Sequence, residues 1–218
     1  LASYSKPFDF ENCFCLYSKS LDELISKLPK RNLIIVDIPI GLEEKKHIRE
    51  CDIKAREFIG PRRHSIFAPP CKKASLQNDY ASANKLNKKI TSYGLSKQTW
   101  MINEKLKETQ KLIEKGYLLY EGHPECSFRK LKGDFLKFGK SGLLGFFERL
   151  NLVTNLGFDP ISLRKQLSHD IKAKPDDLLD SLILCWSASR HIEKKGIYLG
   201  LNKKSKKLSD KNKSLILV

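Results

Sequence analysis

Three short stretches of this chain hold side chains whose types and spacing suit chemistry. The first is Leu33-Ile34-Ile35-Val36-Asp37-Ile38-Pro39-Ile40-Gly41-Leu42, where four apolar residues run into a carboxylate, then a proline and a glycine. The apolar run reads as a strand buried on both faces. Pro39 has no N–H to give a ladder and stops it. Asp37 then lies at the carboxyl end of a strand, the edge where ligands gather in open α/β sheets, although Asp also caps turns well. The second is Glu121-x-His123-x-Glu125. Alternate residues of an extended segment share a face, and two carboxylates flanking an imidazole suit metal binding or acid–base work, with His123 as a proton shuttle. A hydrogen-bonded corner held by Pro124 is the plainer account.

The third stretch is Lys174-Pro175-Asp176-Asp177-Leu178-Leu179-Asp180. Asp177 and Asp180 lie three apart and share a helix face. Capping and the helix dipole explain Asp176 and Asp177. They do not explain Asp180, which sits among Leu178, Leu179, Leu182 and Ile183 and needs a partner there, an arginine or a divalent metal. Arg56, Arg62 and Arg63 flank Gly60-Pro61, as phosphate ligands or as plain surface charge. If the acid stretches meet, Asp37, Asp177 and Asp180 are metal ligands, and Glu121, His123 and Glu125 are further catalytic candidates. Several carboxylates around Mg²⁺ or Mn²⁺ suit phosphodiester hydrolysis, because these hard ions take oxygen ligands and activate water.

The elements that must position these residues follow from the pattern. Phe8, Phe10 and the run Cys13-Phe14-Cys15-Leu16-Tyr17 read as one strand or two, joined around Pro7 and Asn12, and precede a helix opened by Ser20, with Glu23 three residues on, and closed by Pro29. The strand 33–38 follows. Helices are expected over 43–58, 75–90 and 96–115, with Gly116 as the last one's stop. Trp100 reads as core. A strand at 117–121 leads through a lysine- and glycine-rich stretch to helices at 148–156 and 160–167. Pro175 and the acids beside it open a final helix running to Ile192, and residues 214–218 read as an edge strand. The whole is expected to be one α/β domain over residues 1–218, with a helical insertion at about 43–115.

Composition narrows the classes. Lys and Arg number 41 against 25 Asp and Glu, a formal charge of +16 over 218 residues, which suggests a polyanion such as nucleic acid as partner. The six cysteines form no C-x-x-C pair, which argues against a zinc knuckle and reads as small buried hydrophobes in a reducing cytoplasm. No apolar run approaches the length of a membrane span.

The series VDIPIGL, CDIKAREFIGPRRHSIF with Pro69-Pro70 beyond it, YGLSKQTWMI, EGHPECSF and DDLLDSL with SASR resembles, in the same order, the family labelled domain of unknown function 429. That family is described as predicted RNase H-like nucleases. The resemblance runs from about Ser18 to the end. It implies a mixed sheet, antiparallel then parallel, flanked by helices, and an acidic, divalent-metal-dependent nuclease site. The spacing of Asp177 and Asp180 is also similar to that of the terminal-helix acids of Holliday-junction resolvases. Family members further share a first central strand with Gly-x-Asp-Gly and a Gly-Trp turn, which would supply the first metal ligand. The sequence as given opens at Leu1-Ala2-Ser3, just past that point, so this strand is expected to be missing from the chain at hand. Besides the nuclease, two alternatives stand: a non-catalytic nucleic-acid binder lacking the first-strand acid, and an enzyme acting on a small phosphorylated or nucleotide substrate.

Overall fold

The computed structural model describes residues 2–3, 13–28, 33–167, 171–200 and 214–218. The first elements are strands β1 (Ala2–Ser3) and β2 (Phe14–Cys15), helix α1 (Leu21–Ser26) and strand β3 (Ile34–Val36). Helix α2 (Glu50–Ile59) runs into a 3₁₀ turn over Gly60–Ser65, and helices α3 (Lys72–Ser75), α4 (Tyr80–Thr91), α5 (Lys97–Met101) and α6 (Asn103–Glu114) follow. The chain continues with strand β4 (Leu119–Gly122) and helices α7 (Pro124–Lys132), α8 (Leu143–Asn155), α9 (Pro160–Lys165) and α10 (Pro175–Ile192). It closes with strands β5 (Tyr198–Leu199) and β6 (Ile216–Leu217). β1 and β2 pair antiparallel, and a four-stranded open sheet has the order β3-β4-β6-β5. Helices flank it, so the mixed α/β class read from the sequence holds.

Packing divides the described residues into two compact units. One draws on Leu1–Ile35, Gly122–Ile197 and Val218, and the other on Val36–Glu121 and Tyr198–Leu217. In the first unit α10 lies on α7 and α8. Phe128, Val153, Phe158, Leu179, Leu182 and Ile183 form its core with Cys13, Cys15 and Cys185. In the second, α2 packs against β5 and β6, and Cys71, Ala74, Ala83 and Leu95 form a core patch with Tyr80, Ile90 and Trp100 against it. Trp100 thus packs half-buried against this core, on the apolar side that its spacing predicts. All six cysteines are buried thiols, none in a disulfide.

The caps explain the element starts. Ser20 opens α1 by accepting from the Glu23 N–H at 3.3 Å. Pro175 stands in the first turn of α10, where its missing N–H costs nothing. α2 begins at Glu50 rather than Glu43, because the backbone before it is engaged elsewhere: the Glu43 carbonyl accepts from the Lys72 N–H at 2.9 Å. α7 continues through Lys132 and stops at Gly133, whose φ of 76° suits a left-handed cap. β6 corrects the expectation of an edge strand: it lies between β4 and β5, paired antiparallel to β5 through Tyr198–Leu217 and Leu199–Ile216. Among the described residues, no helix is long and apolar enough to cross a membrane.

Candidate functional site

The second unit buries one guanidinium among carboxylates. Arg49, 1% exposed, precedes α2. Its Nε donates to Asp52 Oδ2 at 2.8 Å and its Nη2 to Asp52 Oδ1 at 2.6 Å. Nη1 and Nη2 also reach the two Glu121 oxygens, both at 2.7 Å, and Nη1 donates to the Ile40 carbonyl at 2.8 Å. All five guanidinium protons are thus satisfied. The Ile40 N–H donates to Glu121 Oε2 at 2.6 Å and ties the chain just after β3 to β4. Burial pushes the Glu121 carboxyl up, and Arg49 draws it back toward the ionised form. Burial likewise works against the Arg49 cation, but Glu121 and Asp52 hold its pKa well above the ordinary value. The set is a closed ion triad.

Cys51, Asp52 and Glu121 come close enough to hold a metal ion. Their chemistry does not fit one. Burial pushes the Cys51 thiol up, away from the thiolate a metal needs, and the guanidinium already supplies the positive charge between the two carboxylates. A divalent ion there would face Arg49 at contact distance.

The first unit repeats the device once and then departs from it. Glu125, 2% exposed, takes a bidentate grip from Arg149, itself 1% exposed. Nε and Nη2 reach Oε1 at 2.9 and 2.7 Å, and Nη2 reaches Oε2 at 2.7 Å. Arg149 Nη1 then donates to the Gly145 and Phe138 carbonyls at 2.8 and 3.3 Å. Glu125 lies in the first turn of α7, with half-buried His123 at the N-cap. The extended alternation of Glu121, His123 and Glu125 that the sequence suggests is therefore corrected. The strand ends at Gly122, because Pro124 at the first helical position starts a helix.

The departure is the end of α10. Asp180 Oδ2 accepts from Lys140 Nζ at 2.7 Å, and Asp176 Oδ2 lies 3.9 Å from the same ammonium. The cationic partner demanded by an acid inside an apolar stretch is thus a lysine. Its side chain is 41% exposed, against 12% for Asp180 and 26% for Asp176. The loop carrying Lys140 is firmly held. Glu148 accepts from the Lys137 and Phe138 N–H groups, both at 3.1 Å, and from Lys132 Nζ at 2.8 Å. Burial opposes the Glu148 charge, but these donors hold its carboxyl below the usual range. Gly145 packs onto the same loop so closely that a Cβ there would overlap the Gly139 carbonyl oxygen.

Spacing pairs Asp177 with Asp180, but the structure pairs Asp176 with Asp180. Asp177 turns back to accept from the Lys174 N–H at 2.8 Å and caps the helix. Both i+3 and i+4 neighbours share a helix face, so the cap decides between them. Sequence reasoning missed Asp176 and Lys140 as a pair, because they lie far apart along the chain and Lys140 falls in a stretch that reads as a solvated loop. The donor type fits a hard divalent ion, since a carboxylate oxygen at 2.7 Å and a second at 3.9 Å face one cation position.

The remaining candidates lie in the second unit. Asp37 is exposed in a bend just after β3. Arg56 Nε and Nη2 both donate to the Ile66 carbonyl, at 3.2 and 2.8 Å. Arg56 and Arg63 line a cleft with His47 and His64, whereas Arg62 is half-buried on the same 3₁₀ turn and is not part of that lining. A family model described as "Protein of unknown function (DUF429)" matches residues 10–202. No curated protein and no solved structure matches the chain.

Proposed function

We propose that this chain, which belongs to the DUF429 family of proteins of unknown function, is a divalent-metal-dependent nuclease of RNase H-like type, working on nucleic acid with Mg²⁺ or Mn²⁺. The observation that carries the reading is the convergence of Asp176 and Asp180 on one half-exposed ammonium at the start of α10. Asp176 and Asp180 are the residues that would hold the ion. A bound divalent ion supplies Lewis-acid activation of water and neutralises charge at the leaving oxygen. Lys140, on its four-carbon stem, moves from the carboxylates to the non-bridging oxygens of the phosphate, a role for which a compact ammonium is suited. The loop 133–142 that carries it is anchored by the Glu148 carboxylate. The formal charge of +16 gathers the polyanion by long-range attraction. Glu121 and Glu125 serve the architecture, since each already carries a guanidinium.

The test is cleavage of end-labelled RNA and of single- and double-stranded DNA with Mg²⁺, Mn²⁺ or excess chelator. Metal-dependent cleavage is expected, and Asp180→Asn is expected to lower it roughly 100-fold while leaving the unfolding midpoint nearly unchanged. Cleavage that is unaffected by chelator, or equal in Asp180→Asn, overturns the assignment. The second reading is a non-catalytic binder, favoured by the fact that Lys140 already neutralises the acid pair. Salt-sensitive binding with no cleavage under any metal selects it.

A further inference from the structure

The cleft lined by Arg56 and Arg63 in the second unit has a volume of about 360 Å³. Its polar lining is one-sided. His47, Arg56, Arg63, His64, Ser96 and Thr99 contribute, and among the described residues no carboxylate does. The sequence builds it from a sharp reversal. Gly60, at a φ of 55°, ends α2, and Pro61 starts the 3₁₀ turn that brings Arg63 and His64 round toward Arg56. Arg56 is pinned by its two bonds to the Ile66 carbonyl, so its charge is fixed in place. The His47 ring is held by stacking on Tyr93, with centroids 4.0 Å apart and 16° between planes. Burial, and then the Arg56 charge, push the His47 pKa down. The Ser96 and Thr99 hydroxyls, 2.8 Å apart, line the same cleft.

We infer that this cleft is a binding site for a phosphate monoester, carried either by a free nucleotide or by a nucleic-acid end. Two guanidinium groups bring two positive charges, that of Arg56 held in place and that of Arg63 on an exposed side chain. A monoester carries about −1.5 to −2 near neutral pH and matches them, whereas an internal phosphodiester carries a single charge. The Arg63 guanidinium, the Nη1 edge of Arg56 that the Ile66 carbonyl leaves over, and the hydroxyls offer the several donors that three terminal oxygens require. The volume lies at the lower end of the range of about 300–1,000 Å³ typical of small-ligand sites, suited to one nucleotide. The inference deepens the nuclease reading by naming the end of the substrate that is held, and it rests on that reading only in taking the ligand to be nucleotide-derived.

The experiment is fluorescence anisotropy with the full chain in excess chelator, so that cleavage plays no part. Three short labelled oligonucleotides are compared: one with a 5′-phosphate, one with a 3′-phosphate and one with hydroxyls at both ends. A phosphorylated end is expected to bind at least ~10-fold more tightly than the hydroxyl control, in line with charge-assisted hydrogen bonds. Arg63→Gln is expected to abolish that preference, Arg63→Lys to keep part of it, and neither to change binding of the hydroxyl oligonucleotide by more than about 3-fold. Competition by adenosine 5′-monophosphate at matching concentration assigns the site to free nucleotides, and failure to compete assigns it to chain ends. Equal binding of all three oligonucleotides, with no binding of the monophosphate, overturns the inference. So does a preference that survives Arg63→Gln. Asp180→Asn is expected to retain the preference, which separates failure of this site from failure of the metal reading.

Discussion

Glu121 and Glu125 meet arginines in the interior, whereas Asp176 and Asp180 meet a lysine near the surface. In the interior each glutamate is gripped by a planar fork whose other protons are also placed: on Asp52 and the Ile40 carbonyl for Arg49, on the Gly145 and Phe138 carbonyls for Arg149. Such a pair cannot release its carboxylate without stranding a buried charge. At the start of α10, one ammonium on a 41% exposed side chain faces two carboxylates, with no fork to fix it. A contact whose cation is half-exposed is worth less than one buried on both sides, even though Asp180 itself is buried. An acid is available for chemistry according to what its cation would lose by leaving, and on that measure the two sets lie far apart.

The comparison breaks most directly at Arg49. Arg49→Met removes the cation and leaves Asp52 and Glu121 buried without it. A loss of about 3–5 kcal/mol of unfolding free energy is expected, measured by denaturant unfolding. Lys140→Met, the same kind of change at the other site, is expected to cost roughly half as much or less, since Asp180 is buried but the ammonium it loses is 41% exposed. Similar losses for the two would show that the surface lysine is bound to its acids as tightly as the interior arginine, and the distinction would fall.

The loop that presents Lys140 gives the next test. Gly145→Ala drives a methyl group into the Gly139 carbonyl oxygen, an overlap the backbone must move to relieve. Gly142→Ala meets the same oxygen at 3.7 Å, an ordinary contact. Gly145→Ala is expected to lose about 1–3 kcal/mol of stability and to lower cleavage by displacing Lys140. Gly142→Ala is expected to keep cleavage within about 3-fold, because its added methyl forces no backbone shift. Unfolding midpoints and cleavage rates measured together check both. If Gly145→Ala loses stability but keeps its rate, the loop supports the fold without positioning the lysine.

Much of this molecule is legible in its sequence, and the gaps have local causes. α10 is readable almost to the residue, because Pro175, the acids beside it and the spacing of Leu179, Leu182 and Ile183 agree. The strand end at Asp37 is readable because Pro39 punctuates it. The start of α8 is not: Gly145 in its first turn looks like a breaker, and only the approach of the Gly139 carbonyl explains a glycine there. Glu125 reads as strand because Pro124 signals a corner as readily as a helix start. The two buried arginines leave no local signal at all. Arg49 meets Glu121 across 72 residues and Arg149 meets Glu125 across 24, so the acids stood out in the sequence while their partners did not. The expectation that the first central strand is missing falls partly on residues outside those described.

The finest division in the site lies between neighbours, Asp176 and Asp177. Asp177 binds the Lys174 N–H and closes the first turn of α10, whereas Asp176 faces Lys140 with Asp180. Asp177→Ala removes the cap and is expected to cost about 1 kcal/mol, with metal-dependent cleavage held within about 3-fold. Asp176→Ala leaves the cap intact and is expected to reverse the pattern, with stability nearly unchanged and cleavage lowered by roughly 10-fold or more as one of two oxygen ligands is lost. Thermal unfolding and cleavage rates of the two variants, measured side by side, decide the matter. If Asp177→Ala is the one that loses cleavage, the carboxylates three apart form the site, the cap is incidental, and the bond to Lys174 must open when metal arrives.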